Sequence, residues 1–259
     1  MYLRRLGIGH LLFASSFILI GAISLGLHDF VLFQQPVPHG IPWRVPLACI
    51  SAALLLLPGV GLLLERTARQ SALILTAFVA LWIFALWLPQ VLAHPAVELN
   101  WLGVGEDTVL ATGGWLIYCE VSGRSDGSVR LARLAFGLAL VPIGLSHFFY
   151  LDSAANFIPA WMPLHVPLTI IAGAGHIAAG VAIACGVVPR LAAILEAGME
   201  TLITLIVWVS AIATKPGDHQ SWIGLFLSTA ETAAAFVVAA SYLAHVERSR
   251  LGMREAPAG

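Results

Sequence analysis

What most limits the folds open to this chain is a series of apolar runs, each long enough to cross a bilayer. About 20 apolar residues span a membrane core, and eight stretches qualify, roughly 6–27, 46–64, 71–92, 101–119, 131–150, 166–186, 191–213 and 222–245. Inside lipid every backbone N–H and C=O has to be satisfied within the protein, so runs of this length become helices. Only 10% of the residues are charged, with a mean hydropathy of +0.90, whereas soluble domains carry about 25%. The expected fold class is therefore all-α, a polytopic membrane bundle of eight transmembrane helices. The fourth run is the least apolar, because Glu106 and Asp107 fall about a turn and a half inside it. The first run follows Met-Tyr-Leu-Arg-Arg and extends to Leu27. It is longer than a usual signal-peptide core and reads as the first membrane helix.

Positive charge orients such a bundle, since Lys and Arg accumulate in cytoplasmic loops. With the N-terminus inside, 11 of the 13 Lys and Arg fall on the cytoplasmic side, and only Arg44 and Lys215 fall outside. Removing or adding one helix in mid-chain destroys that asymmetry, so eight spans with both termini cytoplasmic is the consistent count. The sequence also repeats. Arg69, Trp87, Pro95 and Trp101 recur as Arg190, Trp208, Pro216 and Trp222, each 121 positions later, and Gly59 recurs as Gly180. Near the first helix of each half, Gly26-Leu-His-Asp-Phe30 pairs with Gly144-Leu-Ser-His-Phe148 and Trp43 with Trp161, at an offset of 118. The reading is a duplication: a first four-helix repeat (1–119), a cytoplasmic linker (120–130), a second four-helix repeat (131–245) and a cytoplasmic tail (246–259). An even number of spans per repeat makes the two parallel, related by an axis along the membrane normal.

Function is expected where charge stands inside apolar sequence. An ionisable side chain at that depth costs roughly 2.5–3.5 kcal/mol, and its default reading is functional. His176, Glu200 and Glu231 lie mid-run on the sixth, seventh and eighth helices, and Glu196 shares a helix face with Glu200, four residues away. At the 121 offset the first repeat has Leu55, Leu75, Val79 and Leu110 where the second has His176, Glu196, Glu200 and Glu231. One polar cavity in the second repeat is expected, with His176, Glu200 and Glu231 handling protons or contacting a ligand, and Glu196 secondary. His147, at the outer end of the fifth helix, would stand at the cavity mouth. Gly173, Gly175, Gly180 and Gly198 would let the helices approach closely. The structural alternative is that each carboxylate is a protonated packing group bonded to a backbone carbonyl or to Thr201 or Thr204.

Metal binding, if any, falls to His176, Glu200 and Glu231. Glu-x-x-x-Glu is not the Glu-x-x-His spacing of di-iron bundles, and there is no HExxH. Cys49, Cys119 and Cys185 share no CxxC spacing and read as small hydrophobes. There is no nucleotide-binding glycine loop, no catalytic triad motif and no basic patch for nucleic acid. Prolines around Trp43 and Trp161 suggest a short re-entrant or surface segment in each half.

Four segments carry a family resemblance: Gly137-Leu-Ala-Leu-Val-Pro-Ile-Gly-Leu-Ser-His-Phe-Phe149, Ile158-Pro-Ala-Trp-Met-Pro163, Gly173-Ala-Gly-His-Ile-Ala-Ala-Gly180 and Pro189-Arg-Leu-Ala-Ala193. Together they resemble the DoxX family of small bacterial membrane proteins over residues 131–245, and the first repeat looks like a degenerate copy. His147 stands where that family usually has Lys, and His176 where it usually has Glu. The resemblance implies an inner-membrane protein, in some relatives tied to quinone-dependent sulfur oxidation or redox homeostasis. The leading expectation is a redox-associated subunit in which a quinone or another apolar ligand enters between helices, served by a redox partner subunit. A proton- or cation-coupled transporter and a non-catalytic assembly or chaperone subunit are the alternatives. Whether the protein is an enzyme, and its oligomeric state, are open at this stage.

Overall fold

A computed structural model describes residues 6–31, 33–124 and 127–255, with side chains described through Leu243. Its long helices are α1 (Ile8–Leu27), α2 (Arg44–Leu62), α3 (Ala68–Ala93), α4 (Glu98–Val121), α5 (Gly127–Phe149), α6 (His165–Cys185), α7 (Pro189–Thr214) and α8 (His219–Glu255). A short helix, Leu151–Asn156, follows α5. No strand occurs among the described residues. Seven of the long helices, all but α4, are long and apolar enough to cross a membrane. Helix α4 is as long as its neighbours, but it carries Glu98, Glu106 and Asp107.

Each helix packs on the next in the chain, α8 closes on α1, and α4 and α8 also meet. That contact makes α4 and α8 the inner seam, where side chains of one half reach the other. The bundle exterior is apolar: Leu57, Phe84, Leu195 and Leu202 are each at least 60% exposed. A continuous apolar exterior of this kind is a surface for lipid, since water would penalise it.

Helix α3 contains a π-helical stretch at Ile83–Trp87, and α7 contains one at Thr204–Trp208. Segment for segment, Ala68–Trp82 and Leu88–Ala93 lie 121 positions before Pro189–Ile203 and Val209–Thr214. In each half the tryptophan that ends the π stretch lays its ring over a glycine, Trp87 on Gly103 and Trp208 on Gly224, where no Cβ would fit. Trp101 Nε1 donates to the Pro95 carbonyl at 3.0 Å, and Trp222 Nε1 to that of Pro216 at 2.9 Å. The residues before α2 and α6, Trp43 and Leu164, both take left-handed backbone, with φ of 60° and 63°. By backbone conformation, then, the counterpart of Trp43 is Leu164 rather than Trp161.

The first helices differ from the sequence register as well. Gly21 of α1 seats on Ala52 and Leu56 of α2, and Gly144 of α5 on Gly173 and Ile177 of α6. Their packing partners are 121 apart, but the two glycines are 123 apart. The match at 118 aligned loop-proximal residues that do not occupy equivalent packing positions.

The loops at the tryptophan-bearing ends also differ between the halves. Between α1 and α2 the chain folds back into the bundle, burying Val31, Gln34 and Gln35. Gln35 Nε2 donates to Ser51 Oγ at 2.8 Å, and the Trp87 indole donates to the Gln34 carbonyl at 3.1 Å. The corresponding stretch of the second half leaves Phe157, Trp161 and Leu164 exposed.

Candidate functional site

Two pairs of glycines bring α5 and α6 into backbone contact. Gly144 meets Gly173, and Gly137 meets Gly180, at separations where an added Cβ would overlap carbonyl oxygen. Gly175, on another face of α6, admits the Met199 side chain of α7. Gly198 has nothing near its missing Cβ, so of the four glycines expected to ease packing it is the one that does not. Close approach on two sides leaves the middle of α6 enclosed. There His176 is 1% exposed.

His176 is held between two carboxylates. Its Nδ1 lies 2.7 Å from Glu196 Oε1, and its Nε2 lies 3.5 Å from Glu200 Oε1. The first is a short hydrogen bond; the second is an ion-pair distance that a small movement would close. Glu196 and Glu200 are one turn apart on α7, so one helix face presents both to the same ring. Ser228 Oγ of α8 donates to Glu200 Oε2 at 3.4 Å and lies 2.6 Å from Thr204 Oγ1, which in turn is 3.5 Å from Thr232 Oγ1. Thr204 opens the π stretch of α7, and π turns recur at functional positions because they redirect side chains. Glu196 Oε2 is buried and has no hydrogen-bond partner among the described residues. Glu196, expected to be secondary, is thus the residue in closest contact with His176.

His147 lies beside this group. Its ring centroid is 5.2 Å from that of His176, and its Nδ1 is 3.0 Å from the Ile143 carbonyl. A carbonyl only accepts, so Nδ1 carries the proton and Nε2 is left as an acceptor. Half-buried near the end of α5, His147 stands next to His176.

Glu231 of α8 is half-buried and interacts electrostatically with Glu106, Glu200, Asp107 and Glu196. It therefore belongs to the acidic surroundings of the centre, without a direct contact to His176. Two of those neighbours come from the first half. Asp107 of α4 is 0% exposed, and Glu106 accepts a hydrogen bond from Gln34 Nε2 at 3.0 Å. The sequence reading set them aside as a weakness in the fourth run. The signal was available: two adjacent carboxylates inside a run otherwise fit to span are themselves intramembrane ionisable groups.

His176, Glu196 and Glu200 could each offer one ligand atom, and those atoms lie within 4.8 Å of one another. That set differs from the expected one by having Glu196 in place of Glu231. The short His176–Glu196 hydrogen bond occupies Nδ1 and Oε1, leaving His176 Nε2 and the unpartnered Glu196 Oε2 as the atoms a cation could take without breaking it. Cys49, Cys119 and Cys185 lie on α2, α4 and α6, and no disulfide joins them.

Residues 128–210 match the DoxX family model. That segment holds α5, α6 and most of α7, and so includes His147, His176, Glu196 and Glu200. Glu106, Asp107 and Glu231 lie outside it. No curated protein and no solved structure matches the chain.

Proposed function

Taking the DoxX-like second half as premise, we propose that this integral membrane protein is redox-associated and works through one buried proton-handling centre built on His176, Glu196 and Glu200. One observation carries the reading. The α6–α7 contact that holds these three residues stands where the α2–α3 contact of the first half holds Leu55, Leu75 and Val79, which are 0%, 1% and 1% exposed. Helix packing of this shape is satisfied by hydrocarbon, so the polar set serves something other than packing.

A quinone-like or other apolar ligand suits the setting, because it would reach the centre between helices from the lipid. Reducing a quinone takes two electrons and two protons. The electrons would come from a redox partner subunit, and this chain's residues would supply the protons. An imidazole flanked on both nitrogens can accept a proton at one and release one at the other. His176 is so placed, with Glu196 at Nδ1 and Glu200 at Nε2. His147 Nε2, left as an acceptor beside the ring, would take or give the proton nearest the ligand. A second reading, a proton- or cation-coupled transporter, draws on Glu106, Asp107 and Glu231, since an acidic lining shared by both halves would suit a cation.

We further propose eight spans, α4 included, with both termini in the cytoplasm of a bacterial inner membrane, arising by duplication of a four-helix unit. The charge asymmetry and the matching segment bounds of α3 and α7 support this. A cysteine placed in the 150–164 loop, with native cysteines removed, should react with an impermeant thiol reagent from outside. Labelling only after lysis would reverse the orientation. For the centre, Glu200→Gln should leave a folded protein with at least a hundredfold less quinone-linked activity, in the range expected for a lost proton-transfer group. Purified protein that binds no quinone, and retains any proton-coupled flux in vesicles, would favour the transporter reading.

A further inference from the structure

The two halves also differ where α3 and α7 begin, at the end of the bundle opposite the tryptophan-bearing loops. In the first half the guanidinium of Arg69 stands over the ring of Tyr118, 5.8 Å from its centre. At the 121 offset Arg69 becomes Arg190, and Tyr118 becomes Ala239. The ring that fills the α3–α4 contact is therefore missing from the α7–α8 contact. A cavity of about 250 Å³ lies there, bordered by Arg190 and Ala239, with residues of α1 and α4 completing its wall.

Three polar side chains border this cavity, each from a different helix. Arg190 of α7 and Glu120 of α4 carry opposite charges, yet among the described residues neither enters an ion pair. His10 of α1 is 2% exposed. Its Nε2 lies 3.0 Å from the Leu62 carbonyl and so carries the proton, which leaves Nδ1 an acceptor. That nitrogen is buried with no partner among the described residues. The rest of the wall is apolar, with Ile194 and Phe236 in it. A cation and an anion held apart at one cavity are complementary to a ligand that carries both charges. An apolar wall between helices, with a basic residue near the ends of the spans, suits a lipid headgroup.

We infer that this cavity is a binding site for one phospholipid whose head carries a primary amine, of the ethanolamine class. The phosphate pairs with Arg190, whose guanidinium can grip two phosphate oxygens at once. Arg190 stands in the first turn of α7, whose N–H groups no side chain caps, and that setting also favours an anion. The ammonium donates to the Glu120 carboxylate and to His10 Nδ1. The apolar part of the lipid lies against Ile194 and Phe236. A choline head has no N–H to donate, and a glycerol head has no positive charge to set against Glu120. The space exists because the second half lacks the tyrosine of the first. This site is separate from the His176 centre and does not depend on how that centre works.

The test counts retained lipid. The full chain is placed in vesicles of equal parts phosphatidylethanolamine, phosphatidylcholine and phosphatidylglycerol, extracted gently, and weighed by native mass spectrometry. One phosphatidylethanolamine per chain should be held, preferred about tenfold over each of the other two, in keeping with a charge-assisted hydrogen bond to the ammonium. Glu120→Gln should remove most of the preference over phosphatidylcholine. Arg190→Gln should weaken retention of all three by about tenfold. Ala239→Tyr, which restores the ring of the first half, should abolish retention, and a melting curve checks that it folds. Equal retention of the three lipids by the native protein, or a preference for phosphatidylglycerol, would overturn the site. So would a folded Ala239→Tyr protein that keeps its lipid. Should that variant not fold, an unchanged preference in Glu120→Gln decides against the site instead.

Discussion

In the first half, Leu55 of α2 packs with Leu75 and Val79 of α3 in the core; 121 positions on, His176 of α6 meets Glu196 and Glu200 of α7. The helices around the two contacts share segment bounds, a π stretch and a tryptophan seated on a glycine. What differs is the filling. Inside lipid no water is displaced when helices meet, so Leu on Leu gains only packing. A His–Glu contact in the same place gains a charge-assisted hydrogen bond but bears the cost of keeping ionisable groups out of water. Stability alone would favour the hydrocarbon version, and the polar version therefore points to a use.

The largest effect that would test this comparison comes from placing charge in the half without partners for it. Val79→Glu should cost about 3 kcal/mol or more, since a lone carboxylate would be buried among leucines. Unfolding in denaturant or loss of monodisperse protein would report it. A well-folded Val79→Glu protein would mean that the first-half contact is wetter than its burial implies.

The reverse exchange is the sharper one. Replacing the whole set, with His176→Leu, Glu196→Leu and Glu200→Val together, should leave stability within about 1 kcal/mol of the native protein or raise it, because removing every member leaves no orphaned charge. Glu196→Leu alone should cost more than the triple, about 1–3 kcal/mol, since it strands the His176 ring. Both should be inactive. A triple variant less stable than the single one would show the polar set to be structural after all.

Much of the frame was legible in the sequence because it depends on run length and spacing. The helices begin and end within a few residues of the apolar runs, except that α8 runs on to Glu255, and the 121 offset reappears in segment bounds and in the Trp101 and Trp222 hydrogen bonds. Of the centre, His176 and Glu200 were legible as lone charges in apolar sequence. The primacy of Glu196 was not, because helical spacing places it on the same face as Glu200 without saying which of them meets the ring. The contribution of α4 was missed for a different reason. Periodicity compares a helix with itself and with its repeat, whereas the bearing of Glu106 and Asp107 on the second half depends on the seam where α4 meets α8, a contact set by bundle closure. The register of α1 was misread because its loop-proximal similarity to α5 is not where the packing glycines lie.

The smallest effect concerns the caps of α4 and α8, where the halves differ outside the apolar core. Asp218 precedes α8 and accepts hydrogen bonds from Ser221 Oγ at 2.5 Å, Ser221 N at 3.2 Å and Gln220 N at 3.3 Å. Val97 precedes α4 with extended backbone and no side-chain cap. The Ser221 hydroxyl, more than any other contact, holds the Asp218 carboxyl below its ordinary range. A carboxyl lowered by folding contributes stability that is present above its unfolded value and is lost as pH falls through the folded one. The melting difference between the native protein and Asp218→Asn should therefore be small and constant near neutrality and shrink below about pH 4, the unperturbed aspartate value. Val97→Asp should supply the missing cap to α4 and raise stability by about 0.5 kcal/mol, with the same acid sensitivity. If Val97→Asp gained nothing while Asp218→Asn lost its share, the two helix entries would differ in more than the capping residue, and the likeness of the halves would stop short of their loops.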